Sequence, residues 1–193
     1  MSGPEPAVRR VVVVHGYDAA PGAHWFPWLR AELEADGVEV VVAELPEPSW
    51  PEAGAWLDAV GKAVGTPDPH THLVAHSLGC ITVLRHLARL PRPWHLGGFV
   101  LVAGFTGPLV STPILDAFLA EDVDVTAVRA STRRRLVLRS DDDPTVPPAA
   151  TDALAARLDA PVLVVSGAGH FRGADGIDRL PEVLDALAPR HDA

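Results

Sequence analysis

A chain of 193 residues with 48% hydrophobic and 21% charged side chains can build one globular domain around its own core. Its formal charge of −9, with one dense basic run at Arg133-Arg134-Arg135, argues against a nucleic-acid partner. The single cysteine, Cys80, excludes an intrachain disulfide, and the early apolar run 11–14 is too short for a signal-peptide core or a membrane span, so a soluble, cytoplasmic protein is expected.

Residues 1–8 and 189–193 read as flexible tails. Between them, six apolar runs read as strands: 11–15, 38–43, 71–76, 98–103, 136–140 and 162–166. They are nearly continuous in Val, Leu and Ala, the composition of parallel strands covered on both faces. The intervening segments read as helices. Residues 25–35 place Trp28, Leu29 and Leu33 at helical spacing, with Gly37 beyond the end. Residues 51–64 carry Trp56, Leu57, Val60 and Val64 on one stripe, and 78–90 runs from a strand to Pro91. One short helix is expected near 113–119, and two more over 149–158 and 180–187. The basic run 133–135 reads as a solvated loop leading into the fifth strand. This alternation predicts a single α/β domain, with an approximately six-stranded, mostly parallel sheet and helices on both faces. Sites in such sheets lie beyond the carboxyl ends of the strands.

The residues that follow the strands carry the chemistry. After the third strand, Ala75-His76-Ser77-Leu78-Gly79 has the form G-x-S-x-G with alanine at the first glycine. A nucleophilic Ser77 needs small residues two places to either side, so that strand and helix can approach. Leu78 would then offer its backbone N–H at the helix N-terminus to an oxyanion. A serine that only caps the helix is the plainer alternative. After the first strand, Gly16 would let the backbone come close to a ligand, and the amide of Tyr17 would be a second oxyanion donor. After the fifth strand lies Asp141-Asp142-Asp143-Pro144. It could be a solvated acidic turn, a weak metal site or the carboxylate that orients a histidine; it lacks the ligand spacing of a calcium loop, and Asp143 suits the last role. After the sixth strand, glycines flank His170. The order Ser77, Asp143, His170 is that of an α/β-hydrolase triad.

His24, Trp25, His76 and Phe171 are candidate pocket residues together with Gly16. Packing is the alternative for the aromatic ones, and His76 reads as structural rather than as the base. Cys80 is expected to be buried and inert. No His or Cys spacing suggests a metal, and no cofactor is implied.

The stretches His15-Gly16-Tyr17, His24-Trp25-Phe26-Pro27-Trp28-Leu29, His76-Ser77-Leu78-Gly79-Cys80, Asp142-Asp143-Pro144 and Gly169-His170-Phe171 carry a resemblance. The chain resembles the small serine hydrolases related to retinoblastoma-binding protein nine, which include the bacterial YdeN-like hydrolases. The resemblance implies a compact α/β-hydrolase with little or no lid, the segment 104–134 standing where larger relatives insert one. It also implies a Ser-Asp-His triad; the mechanism expected of those three residues is acyl transfer to water from a small-molecule ester or amide. A non-catalytic binding module on the same fold, or an acyltransferase using an acceptor other than water, are the competing expectations.

Overall fold

The computed structural model describes residues 7–188, so the expected tails lie outside the described residues except for Ala7 and Val8. Val8 packs on the core, and the Ala7 carbonyl lies 2.9 Å from Nδ1 of His70.

Six parallel strands form one sheet in the order β2-β1-β3-β4-β5-β6: β1 (Arg10–Val14), β2 (Glu39–Val42), β3 (Thr71–His76), β4 (Leu96–Val102), β5 (Thr132–Ser140) and β6 (Val162–Val165). Alternate residues of the central strands serve two cores, because side chains on a strand point to opposite faces. Val12, Val14, Leu73, Ala75, Phe99 and Leu101 face one core, whose helices are α2 (Ala53–Val64), α3 (Leu78–Arg89) and α6 (Pro148–Leu158). Val11, Val13, Val74, Val100 and Val102 face the other, closed by α1 (Phe26–Ala35) and α7 (Pro181–Leu187). The chain therefore leaves β1 by one face and reaches β3 by the other. The sheet's switch point falls between these strands, whose carboxyl ends carry Tyr17 and Ser77.

Two expectations need correction. The arginine run lies inside β5, which begins at Thr132. Hydrogen bonding draws it into regular structure: Arg134 donates to the carbonyls of Ala186 and Ala188 at the end of α7, and Arg135 to those of Arg129, Thr132 and Asp159. These long side chains satisfy helix-end and turn carbonyls rather than waving in water. The sixth strand is not covered on both faces either. Among the described residues it pairs only with β5, and Val162, Leu163 and Val164 are 38%, 38% and 46% exposed.

The segment after β4 folds onto the body as a single turn at Pro113–Leu115 followed by α4 (Asp116–Leu119) and α5 (Thr126–Ser131), the last not expected from the sequence. Buried Arg85 of α3 donates to the carbonyls of Phe118 and Glu121, and Arg157 of α6 to Thr106, Asp122 and Val123. Leu115, Phe118, Leu119 and Val128 are buried beneath it. This is a short fixed cap and agrees with a minimal lid. Among the described residues no helix is long and apolar enough to cross a membrane.

Below the opposite end of the sheet, His72 is 3% exposed and neither ring nitrogen has a partner among the described residues. Burial, aided by Arg134, lowers its pKa to about 4. An unfolded chain takes up this proton near 6.5, whereas the folded chain refuses it until about 4. Acid therefore favours unfolding, and His72 alone should remove about 3 kcal/mol of stability as the pH falls through that window. Thermal melts should show Tm falling from about pH 7 to about pH 5, and less steeply for His72→Phe, which cannot titrate. Parallel curves for the two proteins would refute the assignment.

Candidate active site

The turn from β3 into α3 forces Ser77 into a rare conformation, with φ at 53° and ψ at −123°. A non-glycine residue there stores strain that the surrounding packing must hold. The packing is visible. A Cβ on Gly79 would lie 2.5 Å from the His15 carbonyl oxygen and 2.7 Å from that of Val14, so α3 rests directly on the end of β1. Ala75, two residues before Ser77, is fully buried, and its small side chain fills the position where a glycine was expected. Ser77 is 6% exposed at the top of the sheet.

Ser77, His170 and Asp143 form one hydrogen-bonded line. The Ser77 Oγ is 2.9 Å from His170 Nε2, and His170 Nδ1 is 2.7 Å from Asp143 Oδ2. The His170 and Asp143 side chains are only 5% and 3% exposed. The other carboxylate oxygen of Asp143 accepts from the amides of Thr145 (2.8 Å) and Val146 (2.9 Å), which fixes the carboxylate plane. In this arrangement Nδ1–H donates to Asp143, and the Nε2 lone pair faces the hydroxyl.

The loop carrying His170 is held at nearly every residue. Asp141 accepts from the Ser166 hydroxyl and the Gly167 amide, Asp142 from the Gly169 amide, and Ser140 Oγ from the Ala168 amide. Asp175 accepts from the amides of His170 and Arg172. The three adjacent carboxylates thus divide the work. Two brace the loop and the third meets the imidazole.

His76 and Trp25 belong to this bracing. The ring N–H at Nε2 of His76 donates to the His170 carbonyl at 2.9 Å, and Trp25 Nε1–H donates to the Phe171 carbonyl at 3.2 Å. Burial holds the pKa of His76 far below the usual histidine value, so it is neutral at pH 7. Trp25 and Phe171 were expected near a pocket, but both are fully buried and pack in the core with α1 and α7. Their apolar surface is worth more there than at a wet cleft. Cys80 is buried, its Sγ 3.3 Å from the Ala75 carbonyl, and burial pushes its thiol pKa up, so no thiolate is available.

Gly16 sits against Ser77, since a Cβ there would come within 2.8 Å of Ser77 Cβ. His15 beside it is buried and donates from Nδ1 to the Gly16 carbonyl at 2.9 Å. Tyr17 follows on the cleft wall. Leu78 is the first residue of α3, where an amide has no partner within the helix.

Above Ser77 lies a cleft of about 360 Å³, lined among others by Tyr17, His24, His76, Phe105, Leu109 and Arg172. Arg172 and Asp175 gave no signal in the sequence. Neither belongs to a recognisable spacing, and Asp175 acts through backbone amides that only the folded loop presents.

A family model described as serine hydrolase matches residues 11–189. YdeN of Bacillus subtilis, named as a hydrolase, is 39% identical over 179 residues, covering 93% of this chain and 94% of YdeN. The crystal structure of that gene product matches with a TM-score of 0.89, over 93% of this chain and 97% of that one. The serine hydrolase RBBP9 of Rattus norvegicus is 23% identical, over 98% of this chain and 99% of its own. Est1E from Butyrivibrio proteoclasticus shares the fold at 16% identity, with a TM-score of 0.66 over 96% of this chain and 87% of that one.

Proposed function

Since this chain belongs to the serine hydrolase family, we propose that it cleaves carboxylic esters, or amides and thioesters of similar shape, through an acyl-enzyme on Ser77. The observation that carries this reading is the unbroken line from Ser77 Oγ through His170 to Asp143. His170 Nε2 takes the hydroxyl proton as Oγ bonds to the substrate carbonyl carbon. The resulting oxyanion is met by the amides of Tyr17 and Leu78, each donor of this kind being worth about 100- to 1,000-fold in turnover. The carbonyl carbon then parts from the leaving oxygen, nitrogen or sulfur, which takes the proton from His170. Water, deprotonated in turn by His170, attacks the acyl-enzyme. A carboxylic acid departs and Ser77 regains its proton. Asp143 holds the imidazole in the tautomer that can accept and stabilises the imidazolium. No step calls for a metal or cofactor. We further expect a small-molecule substrate and a cytoplasmic protein.

The direct test is labelling by a fluorophosphonate, followed by mass mapping, alongside a panel of esters and amides. Labelling at Ser77 and Ser77-dependent turnover are expected. Folded protein that takes no label would favour a binding module instead.

The approach of Gly16 gives a further expectation. In Gly16→Ala the new methyl must displace Ser77 or the loop behind it. Misplacement of reacting groups by about 1 Å costs on the order of 100-fold in rate. kcat/KM should fall to that extent while the thermal melt changes little; wild-type kinetics would show that the loop yields freely.

A further inference from the structure

The cleft has two unlike walls. Phe105, Leu109 and Leu115 all come from the segment after β4 and make one wall apolar. His24 and Arg172 make the other polar, and they belong together because the Gly173 amide donates to His24 Nδ1 at 3.2 Å.

His24 is held at φ 57°, a left-handed conformation that costs a non-glycine residue energy and that packing must maintain. Burial, with the nearby charge of Arg172, lowers its pKa and keeps it neutral at pH 7. With Nδ1 accepting from Gly173, the ring hydrogen sits on Nε2, where no protein partner occurs among the described residues. Arg172 uses Nε and Nη2 to grip Asp175, at 3.0 and 3.2 Å. That leaves Nη1, on the far edge of the guanidinium, with no bond to the described residues. Asp175 is occupied by two backbone amides as well, so its charge is shared. Asp18 also lines the cleft, but it sits on the loop after β1 and takes a hydrogen bond from Ser49.

Both side chains line the same cleft as His170. His170 protonates the leaving group, and Arg172 stands two residues beyond it. We propose that His24 and Arg172 form a subsite for a carboxylate on the leaving half, so that the preferred substrates are esters or amides of hydroxy or amino acids, with the acyl chain along the apolar wall. One carboxylate oxygen accepts from His24 Nε2–H and the other from Arg172 Nη1–H. The second charge of a phosphomonoester would go unmatched. The inference rests on the hydrolase reading above.

The test compares O-butanoylglycolate with O-butanoylglycolamide, which differ only in carboxylate against neutral amide. The ratio of their kcat/KM values cancels any general damage to Ser77 or His170. The wild-type ratio should favour the acid by about tenfold or more, worth about 1.4 kcal/mol. His24→Asn, which tolerates positive φ, and Arg172→Gln should each lower the ratio by at least about threefold, on the same scale. Equal Ser77-dependent cleavage of both esters, or a ratio unmoved in both variants, would overturn the subsite alone. So would fluorophosphonate labelling of Ser77 with neither ester cleaved. Failure of Ser77 to label would remove the hydrolase reading as well.

Discussion

Ser77→Ala is expected to lower kcat by about a millionfold, the scale seen when the nucleophile is removed from a triad whose members act as one unit. The residual rate, about 1,000- to 10,000-fold above water, would come from binding and from the oxyanion donors. Alanine also removes the only group that a fluorophosphonate could modify at this position. The substitution should leave the fold intact, because the Ser77 side chain makes no cap bond to α3 and, among the described residues, bonds to His170 alone. The backbone strain at φ 53° stays whichever of the two residues is present, so Tm should change little. Measurement of turnover, labelling and melting on one preparation separates chemistry from folding. Retained turnover in a folded Ser77→Ala protein would end the case for this nucleophile.

Asp143→Asn is the second large effect, and its cause can be read from two oxygens. In the native protein Oδ1 accepts from two backbone amides while Oδ2 accepts from His170 Nδ1–H. An asparagine must keep its oxygen toward the Thr145 and Val146 amides, so its NH₂ group turns to the imidazole. Nδ1 then has to accept, the ring hydrogen moves to Nε2, and the nitrogen facing Ser77 can no longer take a proton. A loss of about 10,000-fold in kcat is expected, with substrate binding nearly unchanged. Nitrogen NMR of the His170 ring should show the hydrogen on Nδ1 in the native protein and on Nε2 in the variant. Near-native turnover by Asp143→Asn would mean that another group orients the ring.

The bracing of the histidine loop explains why these effects should be large. A triad is fast when its groups are held before the substrate arrives, and 1 Å of play is costly. Here each amide from Gly167 to His170 ends on a side-chain oxygen. The His170 carbonyl is held by His76, and the next carbonyl by Trp25. The imidazole is therefore fixed from its ring and from its main chain.

Much of the site was legible because its signals are local. A strand that ends in small-x-Ser-x-Gly must turn sharply, a glycine beside it must let the backbone approach, and a histidine between glycines must sit on a tight loop. The near-continuous Val and Leu runs likewise marked the strands, since burial on both faces demands them. β6 misled for the same reason: Val162–Val165 is as apolar as its neighbours, and only its place at the sheet edge leaves it exposed. Arg134 and Arg135 misled in the opposite sense, because the carbonyls on α7 and at Asp159 that they meet are distant in the chain.

The sequence alone thus determined the sheet, the elbow and the order of Ser77, Asp143 and His170, all of which follow from side-chain size, periodicity and chain direction within a few residues. Tertiary structure alone decided that Asp141, Asp142 and Asp175 brace a loop, that Trp25 and Phe171 lie in the core, and that His24 and Arg172 share one wall of the cleft. Those outcomes depend on hydrogen bonds to backbone groups, which every residue carries alike and which acquire partners only when the chain has closed on itself.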